Sequence, residues 1–240
     1  MSDGEEMINR LALLPGMHGT GELFSEFISV MPEPKHIEAI CYPADVNRSY
    51  DQLLGAVQSF VPIIEPYVLL AESFSTPLAM QFAAANPPNL KGLILCAGFA
   101  TSPIRGWRKS LASLIAPLAF RLPLPKAVLS HFLVGEDASE SLQASVRAAI
   151  RSVRSTVLAA RLRQVLTVDA RLALSHVSVP ILCIQPLQDR LVSEASLAEM
   201  LAINPQIRVA RFDGPHLILQ RNPQQAADVV ASFVQQLASD

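Results

Sequence analysis

The chain has 240 residues, half of them hydrophobic, and a formal net charge of -2 at pH 7. That length supports one sizeable core, or one core with a small appendage, and so balanced a charge supplies no global field to attract nucleic acid. The opening Met-Ser-Asp-Gly-Glu-Glu is acidic and lacks an apolar segment, so no secretory leader is expected; the uncharged stretch 73–90 holds Asn86 and three prolines and does not read as a membrane span.

Short apolar runs alternate with helical patterns along the chain. Residues 8–14 predict a strand, and 22–31 a helix with Leu23, Phe24, Phe27 and Ile28 on one face. A strand follows at 37–42. Ser49 with Gln52 forms a capping box ahead of a helix that runs to residue 60. Strands are predicted at 67–71 and 90–96, with a helix over 77–85 between them. Two more strands fall at 180–185 and 207–212, and Ser193 caps the helix between them. Asn222-Pro223 starts a terminal helix with proline at its first position. Strands alternating with helices predict an α/β fold, a mostly parallel sheet flanked by helices. Residues 100–175 break this rhythm. They show no clear strand but several helical stretches separated by Pro103, Pro117, Pro123 and Pro125, which predicts an all-helical insertion between core segments 1–99 and 176–240. The insertion holds 11 Lys/Arg against 4 Asp/Glu, whereas the rest holds 8 against 17. Cys41, Cys96 and Cys183 lie apart, near the ends of apolar runs, and read as reduced, buried thiols of a cytoplasmic protein.

The chemistry concentrates at Ala71-Glu72-Ser73-Phe74-Ser75. An apolar strand stops at a serine with a small residue two positions away on either side, and a helix begins at once. A nucleophile elbow has this form, with Ala71 and Ser75 taking the steric role of the usual glycines. A serine hydroxyl needs a base to remove its proton, and the base needs an acid to orient it. Asp189 and His216 each follow a predicted strand, in the chain order that sheet proteins of this type use. His36 and His176 read as surface residues, and His131 falls in the helical insertion. The loop Pro15-Gly16-Met17-His18-Gly19-Thr20-Gly21 follows the first strand; the Met17 and Phe74 amides are the candidate donors to an oxyanion. Neither glycine-rich phosphate pattern is present in that loop. Glu72 occupies a position that the elbow leaves free and receives no role.

With Leu13-Leu-Pro-Gly-Met17, the elbow, Asp189 and Gly214-Pro-His216, the chain resembles the α/β-hydrolases over nearly its full length. The segment Leu166-Thr-Val-Asp-Ala-Arg171, with Val179-Pro180, Asp189 and Leu191-Val192, is similar more loosely to the pimeloyl-[acyl-carrier protein] methyl ester esterases of biotin synthesis. The chain departs from the pattern at Pro15, where a histidine is usual, and in both elbow glycines. The resemblance implies a helical lid over an apolar acyl pocket and a serine hydrolase acting on carboxylic esters or thioesters, without cofactor or metal. Arg147, Arg151, Arg154 and Arg161 have spacings that place them in one stripe if they share a helix. Such a stripe is a solvated face or a docking surface for an acidic partner such as an acyl-carrier protein. A lyase or carbon–carbon bond hydrolase on the same scaffold is the alternative, followed by a binding module without catalysis. Dehalogenases of this fold resemble the chain except for an aspartate at the nucleophile position.

Overall fold

Six of the apolar runs become strands: β1 (Arg10–Leu14), β2 (His36–Ala39), β3 (Tyr67–Glu72), β4 (Leu90–Cys96), β5 (Ile181–Pro186) and β6 (Arg208–Phe212). They form one sheet in the order β2-β1-β3-β4-β5-β6, and every neighbouring pair is parallel. The computed structural model describes residues 8–32, 34, 36–62, 64–104, 106–122 and 125–239. The acidic opening segment lies outside these residues, as does Pro123.

Side chains alternate across each strand, so the apolar runs feed two cores. Val68, Leu70 and Ile94 point to the face covered by α1 (Ser25–Val30) and α11 (Pro223–Ser239), where they meet Phe24, Phe27, Val230 and Phe233. Leu69, Leu93 and Leu95 point to the opposite face. There α2 (Tyr50–Phe60), α3 (Thr76–Ala84), α8 (Arg171–His176) and α9 (Glu194–Ile203) supply Leu53, Val57, Leu78, Leu174 and Leu197. The Ser49–Gln52 capping box forms with both of its hydrogen bonds, at 3.0 and 3.3 Å. Ser193 precedes α9 but makes no side-chain bond to its first turn. The helix expected at 22–31 begins as a 3-10 turn, Glu22–Phe24, before α1.

The second strand stops three residues short of its expected end. Ile40 N–H still bonds Leu13 of β1, but Tyr42 N–H turns to Gly19 of the glycine-rich loop. Cys41 sits in this departing segment beside an edge strand, so its thiol is exposed; only Cys96 and Cys183 are buried. Burial holds the Cys183 thiol up at about 12 and the Cys96 thiol well above its ordinary value, so both stay protonated.

Between β4 and β5 the chain is helical among the described residues: α4 (Trp107–Ala119), α5 (Lys126–Leu129) running into a π turn at Ser130–Val134, α6 (Glu140–Arg151) and α7 (Ser155–Thr167) precede α8. Pro117 does not end a helix; it lies inside the last turns of α4, where its missing N–H forfeits a single ladder bond. The two ends of this segment meet: Thr101 and Asp169 form an antiparallel bridge, and Ala170 N–H donates to the Ala100 carbonyl at 2.8 Å. The α8 helix packs on α3 and α9 and so belongs to the sheet's covering layer.

Candidate active site

β3 ends deep in the protein, with Ala71 and Glu72 fully buried. Ser73 then takes φ = +48°, a left-handed conformation that costs about 1–3 kcal/mol in a residue with a Cβ. The chain reverses through a 3-10 turn, Ser73–Ser75, into α3. Neighbouring hydrogen bonds hold this strained turn. Ser75 Oγ donates to the Pro15 carbonyl at 2.5 Å and accepts from the Tyr42 hydroxyl at 2.7 Å. Thr76 Oγ1 donates to the Ser73 carbonyl at 2.8 Å, and the Tyr50 hydroxyl donates to the Phe74 carbonyl at 2.8 Å. Ser75 therefore fills the second glycine's place and also clamps the elbow to the loop after β1.

Asp189 and His216 come from loops after β5 and β6, at the carboxyl edge of the sheet. Asp189 Oδ1 accepts the Leu191 and Val192 amides at 2.8 and 2.9 Å, and its Oδ2 accepts His216 Nδ1–H at 2.7 Å. With Nδ1 protonated, Nε2 is free to accept, and it lies 2.8 Å from Ser73 Oγ. Both side chains of the Asp189–His216 pair are buried. Burial disfavours the imidazolium, but the Asp189 carboxylate, its hydrogen bond and the charge of Glu72 outweigh it, so the His216 pKa lies above its ordinary 6.5. Arg190 does not compete for Asp189; its guanidinium bonds the His131 ring.

Ser73 and His216 open into a cavity of about 330 Å³. Its walls include Phe99, Phe120, Leu133, Ile150, Leu158 and Val192, and Met17 and Phe74 line it beside Ser73. Sequence reasoning missed a second histidine–carboxylate pair, His18 with Glu72, beside Ser73. Glu72 is fully buried, neither of its carboxylate oxygens has a hydrogen-bond partner, and His18 Nε2 lies 4.0 Å away. Thr20 N–H donates to His18 Nδ1 at 3.2 Å, which leaves the neutral ring's proton on Nε2, facing Glu72. The signal in the sequence was adjacency: Glu72 precedes the serine, and His18 follows Met17.

The arginine stripe is corrected by the structure. Arg147 and Arg151 are on α6, Arg154 lies in the break before α7, and Arg161 is on α7, so the four do not share a helix. Arg161 is 3% exposed and cannot meet a partner. Its Nη1 donates to the Met17 and His18 carbonyls at 2.8 and 3.0 Å, and its Nη2 to the Pro43 carbonyl at 2.8 Å. Burial lowers its pKa to about 10, which leaves it cationic at neutral pH. Gly19, at φ = +75°, passes so close that a Cβ there would sit 2.5 Å from Arg161 Nη1. The remaining three arginines line a groove with Arg121; the groove shares Met17, Phe120, Leu133 and Ile150 with the cavity.

A sequence model of the family described as serine aminopeptidase, S33, matches residues 42–214. The chain belongs to this family. No curated protein matches the sequence. Solved structures share the fold at low identity. A lipase-esterase related protein from Clostridium acetobutylicum ATCC 824 superposes with a TM-score of 0.77 at 13% identity, over 96% of each chain. MenH from S. aureus gives 0.76 at 16%, over 97% of this chain and 95% of that one. The enol-lactonase from Burkholderia xenovorans LB400 gives 0.74 at 16%, over 99% and 94%. The fold is that of the α/β-hydrolases, a parallel sheet flanked by helices. Among the described residues, no group of three His, Cys, Asp or Glu side chains could hold a metal ion, and no helix is long and apolar enough to cross a membrane.

Proposed function

We propose that this S33-family protein is a serine hydrolase of carboxylic esters or thioesters with an apolar acyl group. The observation that carries the reading is the hydrogen-bonded line Ser73–His216–Asp189 at the floor of an apolar cavity. In this reading Ser73 Oγ attacks the acyl carbonyl as His216 Nε2 takes its proton, and the negative charge passes to the carbonyl oxygen. The Phe74 and Met17 amides stabilise that oxyanion. Asp189 holds the imidazole in the required tautomer and balances the imidazolium. His216 then protonates the leaving alcohol or thiol. A water, deprotonated by the same nitrogen, releases the acid from the acyl-enzyme.

The cavity also argues against the peptidase activity in the family's description. An aminopeptidase must neutralise the substrate's terminal ammonium, yet no carboxylate lines this cavity among the described residues. The helices between β4 and β5 act as the lid in this reading, since Phe120, Leu133, Ile150 and Leu158 form the roof. An acidic acyl carrier is a narrower form of the proposal, with Arg147, Arg151 and Arg154 as its contacts and Arg161 excluded. Labelling with a fluorophosphonate tests the chemistry: wild type is labelled and Ser73→Ala is not. Equal labelling of the two, or none of wild type, overturns it. A series of p-nitrophenyl esters, with the methyl ester of a carrier-bound acyl chain alongside, then gives the acyl length and the leaving group.

A further inference from the structure

A helix on a protein surface ordinarily turns its apolar side inward and its polar side to water. The α4 helix presents an apolar side to solvent instead. Trp107, Leu111, Leu114, Ile115, Leu118 and, just beyond the helix, Leu122 recur at spacings of 4, 3, 1, 3 and 4 and form one solvent-facing stripe. Leu114 is 78% exposed, and Leu118 and Leu122 are each 64% exposed. The helix meets the rest of the protein through α7. Scattered surface leucines need no explanation, but a continuous stripe of this size marks a contact surface.

The charge around the stripe identifies its counterpart. Beside the stripe lie Lys109, Arg121 and Lys126, the last 3.8 Å from Glu140, and residues 106–126 contain no Asp or Glu. Two copies meeting stripe to stripe would bring these positive flanks together, which disfavours self-association. A surface that is apolar inside and anionic outside satisfies both features at once. The position of α4 points the same way. Pro103 and Ile104, just before the helix, and Phe120, just after it, line the cavity above Ser73. We propose that α4 seats this protein on an anionic lipid surface, with its apolar stripe in the acyl layer and its basic flanks among the headgroups, so that the mouth of the cavity faces the lipid. An acyl chain could then move from one apolar medium to another without crossing water. The docking stands on surface chemistry and does not depend on the reaction assigned to Ser73.

Trp107 is the chain's sole tryptophan, so its fluorescence reports this stripe alone. Full-length Ser73→Ala protein, which cannot turn over lipid by the proposed chemistry, is titrated with vesicles of equimolar phosphatidylcholine and phosphatidylglycerol. The expected result is a blue shift of the emission and co-flotation of the protein, both weaker with phosphatidylcholine alone and both reduced by salt. In the same background, Leu114→Glu with Leu118→Glu exchanges two exposed leucines for carboxylates and lowers vesicle affinity about tenfold or more, with the melting temperature unchanged. Three results would overturn the proposal: no shift with either vesicle, equal binding by the double variant, or a shift that grows with protein concentration when no lipid is present. The last would assign the stripe to a second copy of the chain.

Discussion

Replacing Arg161 with methionine keeps most of the side chain's volume and removes only its donors. Three carbonyls, those of Met17, His18 and Pro43, then lose a charged partner. Hydrogen bonds to a charged group contribute about 1.5–3 kcal/mol each, while burying a guanidinium costs several kcal/mol that the variant no longer incurs. The net loss of stability is about 2–4 kcal/mol, which for a chain of this length lowers Tm by about 5–15 °C. The kinetic effect follows from which carbonyls are released. Two belong to the loop that carries the Met17 amide, a donor in the proposed oxyanion site. An oxyanion donor lost outright costs about 100–1000-fold, so one displaced costs less, about 10–100-fold in kcat with KM little changed. Arg161→Lys should not restore the rate, because one ammonium cannot reproduce a fork that spans Met17 and His18 on one arm and Pro43 on the other. The assay is steady-state hydrolysis of p-nitrophenyl butyrate at a temperature where every variant is folded, with melting curves alongside. A methionine variant with wild-type kcat, or a lysine variant that recovers it fully, refutes the claim that Arg161 positions the oxyanion loop.

Two further perturbations probe the elbow. The proposed reaction requires neutral His216, whose pKa lies above 6.5, so kcat/KM should rise with pH through a limb above that value. Glu72→Gln removes one of the negative charges that favour the imidazolium; the His216 pKa falls and the limb moves to lower pH, whereas a limb that stays in place would show that His216 does not feel the Glu72 charge. Ser75→Ala leaves the Tyr42 hydroxyl and the Pro15 carbonyl without their shared partner, at a cost of about 1–3 kcal/mol, and Tm falls by about 2–4 °C for each kcal/mol. An unchanged melting temperature would remove Ser75 from its role as a clamp.

The sheet was readable in the sequence because a parallel strand covered on both faces leaves a near-continuous apolar run, as β3 and β5 do. The elbow was readable because its steric demands fall within five consecutive residues. The arginine spacing misled for a physical reason. Periodicity counts residues along one helix, and here the helix breaks at 152–154 without glycine or proline, where Arg154 N–H bonds the Ala44 carbonyl instead of a helical one. No local pattern marks Arg161 as buried, since its three carbonyl partners lie 118 to 144 residues away. Cys41 misled similarly, because the apolar run containing it continues past the point where β2 leaves the sheet edge. The His18–Glu72 pair joins the loop after β1 to the last residue of β3, which meet only when β1 and β3 become neighbours.

The bridge between Thr101 and Asp169 brings the departure and the return of the helical segment to one point beside β4. A segment whose ends meet can be excised or exchanged for another without disturbing the register of any strand. The sheet would keep its serine, histidine and aspartate while the graft dictated which chain is admitted above them. Any replacement must, however, bring its own cation to the carbonyls of Met17, His18 and Pro43, so specificity in this scaffold is transplantable only together with that one buried charge.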